Sequence, residues 1–223
     1  MDIFENAPEQ ALAWHEDGRG AVLATVIETW GSAPRPVGSQ LVISGSAEIA
    51  GSVSGGCVEG AVIVEAQEAL EQSETRILEF GVSDETAFEV GLACGGRIRI
   101  LLEPVGKVLP EQLLEDLVRR RAARIPVAYV VNTETWKRRL AGRDDGALGV
   151  EFATRFRSDR SGFEDEVFIA IHNPPLRMAV IGAVHIAQPL MQMARLAGYD
   201  AVLIDPRPIF GSNTRFPGEV ILD

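Results

Sequence analysis

The segment 177–205 constrains the fold more than any other part of the chain, because a helical pattern lies between two short apolar runs. Residues 177–182 (RMAVIG) and 200–205 (DAVLID) predict buried strands, and residues 183–198 predict a turn followed by a helix. Strands joined in this way form a βαβ unit with a parallel sheet and a right-handed crossover. With a third strand predicted at 218–222, the C-terminal part is expected to be a shortened Rossmann-like βαβ domain.

The rest of the chain mixes strand and helix patterns, so the predicted fold class is α/β. Strands are predicted at 21–29, 40–44, 76–80 and 97–104, and helices at 8–17, 58–72 and 83–91. A helix predicted at 110–123 is followed by strands predicted at 126–131, 136–140, 150–156 and 166–172. The expected organisation is an N-terminal mixed α/β domain over 1–106, a β-rich connector over 107–175 and a partial Rossmann-like domain over 176–223.

Charge and cysteine content exclude several classes of protein. The 223 residues include 21 basic and 32 acidic side chains, a net charge of −11, which disfavours nucleic acids and anionic membranes as partners. No stretch is apolar for long enough to span a bilayer, and the first ten residues do not resemble a signal peptide. Two Cys and three His, all far apart, predict neither a disulfide framework nor a metal site, so a cytoplasmic location is expected.

The first candidate site is Ser54-Gly55-Gly56-Cys57, immediately before the helix predicted at 58–72. Glycines allow successive backbone N–H groups to converge on an anion, and a helix N-terminus adds partial positive charge. A thiol in this position has greater thiolate character. The alternative is that the glycines turn the chain and Cys57 is a small buried apolar residue.

A second motif, Cys94-Gly95-Gly96, mirrors the first, so both cysteines of the chain adjoin a Gly-Gly pair. Two interpretations remain open for Cys57 and Cys94: a shared ligand site, or a transient disulfide. The separation of their Cα atoms would decide, because a disulfide needs about 4.4–6.8 Å.

Arg35 is the third candidate, since it lies between Pro34 and Pro36 in a loop. Two prolines stiffen the backbone around the guanidinium, which suits the capture of a phosphate or carboxylate. A rigid turn with a solvated arginine is the alternative.

The turn after the strand at 177–182 resembles a dinucleotide fingerprint, with Gly182 and His185 in the turn and Asp205 at the end of the next strand. Val184, however, takes the position of the middle glycine, where a side chain obstructs the approach of a pyrophosphate. Binding of NAD(P) is therefore not expected.

Three N-terminal blocks, GSAPRPVGSQLVI, GSVSGGCVEGAV and FGVSDETAFEVGLACGGRIRI, resemble the N-terminal domain of the XdhC/CoxI family of xanthine dehydrogenase accessory factors. The segment 177–216, with GAVHIA and LIDPRPIFGSNTRFP, is similar to the Rossmann domain of that family. Two departures are Val184, where the family has a glycine, and the end of the chain at 223, where the family's domain continues.

The resemblance implies a cytoplasmic maturation chaperone, rather than an enzyme, that holds the molybdenum cofactor (molybdopterin), helps its sulfuration and delivers it to a molybdenum hydroxylase of the xanthine or carbon monoxide dehydrogenase type. The implied partners are the apo-enzyme, a cysteine desulfurase and a second copy of the chain in a homodimer. The implied cofactor contacts are Cys57 and Cys94, either of which could reach molybdenum, together with Ser54, Gly55, Gly56, Gly95, Gly96 and Arg35.

Two other functions fit the same residues. The βαβ unit and the two cysteines fit an NAD(P)-dependent or thiol-based oxidoreductase. A non-catalytic module that docks a dehydrogenase without holding a ligand is the third hypothesis.

Overall fold

The computed structural model describes residues 6–33, 35–81, 96–145, 149–218 and 221–222. The chain divides into two compact units, Phe4–Asn173 and a smaller one that contains Pro174–Asp223.

The larger unit is built on a five-stranded antiparallel sheet with the order β3-β2-β1-β5-β4. Its strands are β1 (Ala21–Trp30), β2 (Gln40–Ser44), β3 (Ile49–Gly51), β4 (Arg76–Phe80) and β5 (Arg97–Pro104). The long β-branched run makes β1 the central strand, buried on both faces over its first seven residues. Side chains alternate, so Val22 and Ala24 belong to one core cluster and Leu23 to the other.

One face of this sheet packs against helix α2 (Glu59–Gln72). Val62, Ala66 and Ala69 are fully buried at the spacing that places them on one helical face. The helix therefore holds its N-terminal end, and the loop that precedes it, against the sheet.

The opposite face packs against α1 (Ala7–Glu16), α3 (Glu111–Ala122) and a second antiparallel sheet. That sheet has the order β7-β6-β9-β8, formed by β6 (Val127–Asn132), β7 (Arg138–Ala141), β8 (Gly162–Glu164) and β9 (Val167–His172). Val127, Tyr129 and Val131 share a core with Leu23 of β1. Residues of both ranges pack into one hydrophobic core. The division into separate domains over 1–106 and 107–175 therefore stays a prediction.

The strand predicted at 150–156 is wrong, because this stretch lies in helix α4 (Gly149–Ser158). Phe152 and Phe156 are four residues apart, both are buried, and their rings meet edge to face at 5.1 Å. They pack against Val130 and Ile169 on the outer face of the second sheet. A spacing of four places both rings on one face of a helix, and that face packs against the second sheet. The helix predicted at 83–91 lies outside the described residues.

The smaller unit contains β10 (Arg177–Ile181), α5 (Ala187–Leu196), β11 (Asp200–Ile204) and β12 (Ile221–Leu222). The three strands are parallel in the order β10-β11-β12, and α5 packs on the face that carries Val180 and Leu203. The predicted fold class, a mixed α/β domain followed by a shortened Rossmann-like βαβ, is confirmed. None of the helices in the described ranges is long and apolar enough to cross a bilayer.

Candidate functional site

The three segments that carry the predicted N-terminal motifs adjoin the same end of the first sheet. β1 and β3 end there, β2 begins there, and the connection from β4 to β5 leaves and returns there, as the antiparallel registers require. Two of them are the loops 31–39 after β1 and 52–58 after β3, and the third contributes Gly96, which directly precedes β5. The topology therefore places Arg35, Cys57 and Gly96 beside the same end of the first sheet.

Gly96 packs directly against the loop that contains Arg35. A Cβ atom at Gly96 would lie 2.7 Å from the carbonyl oxygen of Ser32 and 2.8 Å from that of Trp30, closer than real Cβ contacts allow. Only glycine fits this buried position, so the start of β5 and the loop after β1 approach each other closely. Cys94 and Gly95 lie outside the described residues, and their site roles stay predictions.

Arg35 offers a hydrogen-bond donor that no described residue uses. Its side chain is partly buried, and its Nε atom is out of contact with solvent and without a hydrogen-bond partner in the described part of the chain. A buried donor without an acceptor costs about 1–3 kcal/mol, so an acceptor that reached this atom would be bound favourably.

The Gly-Gly loop before α2 adopts a backbone that requires glycine. Gly55 has a φ of 74° and Gly56 a φ of 110°, both in the left-handed region, and both residues are exposed. Cys57 follows as a half-buried thiol that forms no disulfide with any described residue and packs against the α2 core cluster. Its pairing with Cys94, or a shared ligand site, stays a prediction.

Backbone N–H groups of this loop converge on the chain's own Glu59 carboxylate. Its Oε1 accepts hydrogen bonds from Ser52 Oγ (2.8 Å), from the backbone N of Val53 (3.2 Å) and from that of Ser54 (2.9 Å). Its Oε2 accepts from the backbone N of Gly56 (2.9 Å) and from Ser54 Oγ. The carboxylate thus accepts five hydrogen bonds from the loop, three at Oε1 and two at Oε2.

Burial raises the pKa of Glu59, but the hydrogen bonds from Ser54 and Ser52 lower it by more than burial raises it. The resulting pKa is about 2. Glu59 is therefore ionised at neutral pH while only 8% exposed. Ser54 is also buried, and its Oγ accepts from the backbone N of Val58, which makes it a bridge between loop and helix.

Sequence reasoning missed Glu59 and Ser52. The available signal was an acidic residue in the first turn of a helix whose N-cap residue, Val58, has no side chain that could cap it.

In the smaller unit, Asp205 closes the turn between β10 and α5. Its Oδ2 accepts from the backbone N of Ala183 at 2.8 Å, and Arg207 donates to both carboxylate oxygens through its guanidinium and backbone N. The Arg207 hydrogen bonds hold the pKa of Asp205 well below its usual range, although burial acts in the opposite direction.

This arrangement leaves Asp205 only 3% exposed, with its oxygens already engaged. Val184 is 41% exposed at the turn, beside an exposed His185, and Gly182 has a φ of 103°. Nucleotide contacts from Gly182, His185 and Asp205 stay predictions, and a ribose hydroxyl would have to replace existing partners of Asp205.

Among the residues with described positions, no three or more His, Cys, Asp or Glu side chains cluster in a way that could hold a metal ion.

Comparison with known proteins identifies relatives for most of the chain. Residues 14–81 match the XdhC and CoxI family, so the resemblance expected from the motifs is confirmed. The chain is 31% identical over 195 residues to the molybdenum cofactor insertion chaperone PaoD of Escherichia coli, with 87% of this chain covered. It is 24% identical over 212 residues, 91% of the chain, to a protein of Bacillus subtilis named as a probable xanthine dehydrogenase subunit. The chain spans 56% of the first relative and 64% of the second.

The fold is similar to a crystal structure described as a xanthine dehydrogenase from Bacillus halodurans. The TM-score is 0.75 at 24% identity, and the match covers 97% of this chain and 67% of the other.

Proposed function

We propose, from the premise that residues 14–81 carry the sequence of the XdhC and CoxI family, that this chain binds the molybdenum cofactor and delivers it to a molybdenum hydroxylase. The cofactor would be cargo rather than a resident group. The observation that carries the proposal is the grouping of the Arg35, Cys57 and Gly96 loops at one end of the first sheet.

The relatives support this choice among the three hypotheses. The matched family region contains both Arg35 and Cys57, and the relative with 31% identity is named a molybdenum cofactor insertion chaperone. An NAD(P)-dependent oxidoreductase receives less support, because the Asp205 carboxylate is engaged by Ala183 and Arg207.

The residues at the sheet end fit an anionic ligand with a soft metal centre. The Nε of Arg35, which has no hydrogen-bond partner among the described residues, suits a phosphate oxygen, and the half-buried thiol of Cys57 suits molybdenum or its sulfur ligands. The backbone N–H groups of Val53, Ser54 and Gly56 do not enter this fit, because they donate to Glu59.

The finer parts of the proposal concern what happens while the cargo is bound. We propose that bound cofactor stays accessible for sulfuration, with a cysteine desulfurase as sulfur donor, before its transfer to a xanthine or carbon monoxide dehydrogenase type of apo-enzyme. A homodimer and a contribution of Cys94 remain further predictions.

The test is to load the purified full chain with isolated cofactor, remove the excess, and measure bound molybdenum by mass spectrometry and bound pterin by fluorescence. Wild type is expected to retain both. Arg35→Gln and Cys57→Ala are expected to retain roughly 10-fold less, the effect of losing one charge-assisted or metal contact.

Arg119→Gln is the matched control for Arg35, because Arg119 is exposed on α3 and pairs with Asp116. It should retain as much cofactor as wild type. Equal retention in all variants would contradict the assignment of the residues, and no retention by wild type would contradict the function.

A further inference from the structure

We propose that Glu59 sets the charge selectivity of Cys57: by filling the anion-binding loop it leaves the thiol open to uncharged or soft groups and closed to anions. The orientation of the cofactor argued below rests on the proposed function, whereas the charge selectivity of Cys57 can be tested without the cofactor.

The loop has the geometry of an anion-binding nest. The backbone N–H groups of Val53, Ser54 and Gly56 point at a single carboxylate, and the hydroxyls of Ser52 and Ser54 add two more donors. Such concave groups of N–H donors bind phosphate and other anions in proteins. Without Glu59, the loop beside Cys57 would attract an anion.

Glu59 competes with any external anion from a favourable position. It lies at the start of the same helix, so its carboxylate is held at the loop by the chain, and no translational freedom is lost when it binds. The side chain is almost fully buried and ionised. An external anion would have to displace a carboxylate that already accepts five hydrogen bonds from the loop.

The charge of Glu59 also acts on whatever approaches Cys57. Gly56, the residue before the thiol, donates its N–H to Glu59 Oε2 at 2.9 Å, so a negative charge lies within one residue of Cys57. Like charges brought together at a partly buried site repel each other. Anionic groups are therefore disfavoured at the thiol.

This arrangement orients the proposed cargo. Its phosphate is excluded from the Cys57 loop and would meet the Nε of Arg35, to which no described residue is hydrogen-bonded and whose loop begins at the same end of the sheet. The soft molybdenum centre would then face Cys57.

Selectivity is measured by the alkylation of Cys57 in the cofactor-free full chain with iodoacetate, an anion, and with iodoacetamide, its neutral analogue. Both reagents attack the same thiolate, so the ratio of their rates cancels changes in thiol exposure and thiolate fraction. Mass spectrometry of the peptide resolves Cys57 from Cys94.

In Glu59→Gln the ratio of the iodoacetate rate to the iodoacetamide rate is expected to rise about fivefold or more over wild type. Glu71→Gln is the control, since it removes the same charge from an exposed position at the other end of α2, and its ratio should match wild type. An unchanged ratio in Glu59→Gln would overturn the proposal.

A second measurement needs only wild type and so does not depend on the folding of a variant. Phosphate is expected to affect the alkylation of Cys57 by iodoacetamide no more than sodium chloride of equal ionic strength does. A saturable effect of phosphate would show that the nest is open to anions and would overturn the proposal. Neither measurement involves the cofactor, so failure here is distinguishable from failure of the proposed function.

Discussion

At the scale of single residues, two carboxylates take positions that a ligand's anion often has in proteins. Glu59 accepts from the N–H groups of Val53, Ser54 and Gly56, and Asp205 accepts from the N–H of Ala183 in the turn after β10. In both places a carboxylate of the chain itself stabilises the glycine-containing turn by accepting hydrogen bonds from its backbone N–H groups. A third buried group, His172, contributes an unusual acid sensitivity to the larger unit.

The pH dependence of Glu59 is the first residue-scale prediction. Its pKa is lowered from 4.5 to about 2 on folding, so the stabilisation is fully present above pH 4.5 and is lost as the pH falls towards 2. We expect Glu59→Gln to lower the free energy of unfolding by up to about 3 kcal/mol at pH 7. Urea denaturation from pH 7 to pH 2.5 should show this difference shrinking below pH 4.5, and a difference independent of pH would contradict it.

His172 lies on β9, where its Nδ1 is 3.0 Å from an Arg121 nitrogen that also belongs to a guanidinium paired with Glu9. Because arginine only donates, Nδ1 is the acceptor and Nε2 carries the proton. That Nε2 atom is buried without a hydrogen-bond partner among the described residues. Burial, with the Arg121 charge, lowers the pKa of His172 from 6.5 to about 3, so the ring is neutral in the folded chain.

The second prediction follows from this pKa. Since the unfolded chain binds a proton at His172 below pH 6.5 and the folded chain does not, wild type loses stability as the pH falls from 6.5 towards 3. His172→Asn keeps an acceptor near Nδ1 and removes the titration. Urea denaturation should show the variant less stable than wild type at pH 8. The difference in free energy of unfolding between wild type and variant should be smaller at pH 5. A stability difference that stays constant between these pH values would contradict the prediction.

At the scale of elements, glycine has different roles at the start of β5 and in α2. At Gly96 the carbonyl oxygens of Trp30 and Ser32 leave no space for a Cβ, whereas a Cβ at Gly60 in α2 would meet nothing within 4 Å. The close approach at Gly96 holds the Arg35 loop against the sheet end.

Alanine substitutions separate these two roles. Gly96→Ala is expected to lower the free energy of unfolding by about 2 kcal/mol, because backbone atoms must shift to admit the methyl group. Gly60→Ala is expected to raise it by about 0.5–1 kcal/mol through helix propensity. Urea denaturation measures both changes, and equal effects of the two substitutions would contradict the close approach at Gly96.

At the scale of the whole molecule, the smaller unit has its own core, and Asp205 holds its first turn by hydrogen bonds from Ala183 and Arg207. We expect Asp205→Asn to loosen this unit, because Ala183 and Arg207 lose a charged acceptor. Tryptic cleavage after Arg195 and Arg215 should become faster than in wild type, without new cleavage in the first sheet. Asp200→Asn, which weakens an exposed ion pair with Arg177, is the control and should be cleaved at the wild-type rate.

Much of this architecture could be predicted from periodicity. The β-branched run of β1 and the βαβ pattern of 177–205 depend on local side-chain spacing, which the sequence displays directly. Helix α4 was missed because Phe152 and Phe156 also fit an alternating strand pattern, and only the second sheet beneath them favours the helix. Glu59 was missed because a Gly-Gly loop has the same sequence pattern whether its N–H groups hold a ligand or an internal carboxylate.

The grouping of the site loops is a property of the strand order β3-β2-β1-β5-β4, which residue spacing alone does not determine. It is also the basis of the proposed function, since Arg35 and Cys57 can act on one ligand only if their loops share an end of the sheet.

The most direct test of that claim is hydrogen exchange measured by mass spectrometry on the full chain, empty and loaded with the molybdenum cofactor. The account predicts slower exchange in the loops 31–39 and 52–58 of the loaded chain, with no change over 182–216. Protection confined to 182–216, or no protection anywhere at saturating cofactor, would contradict it.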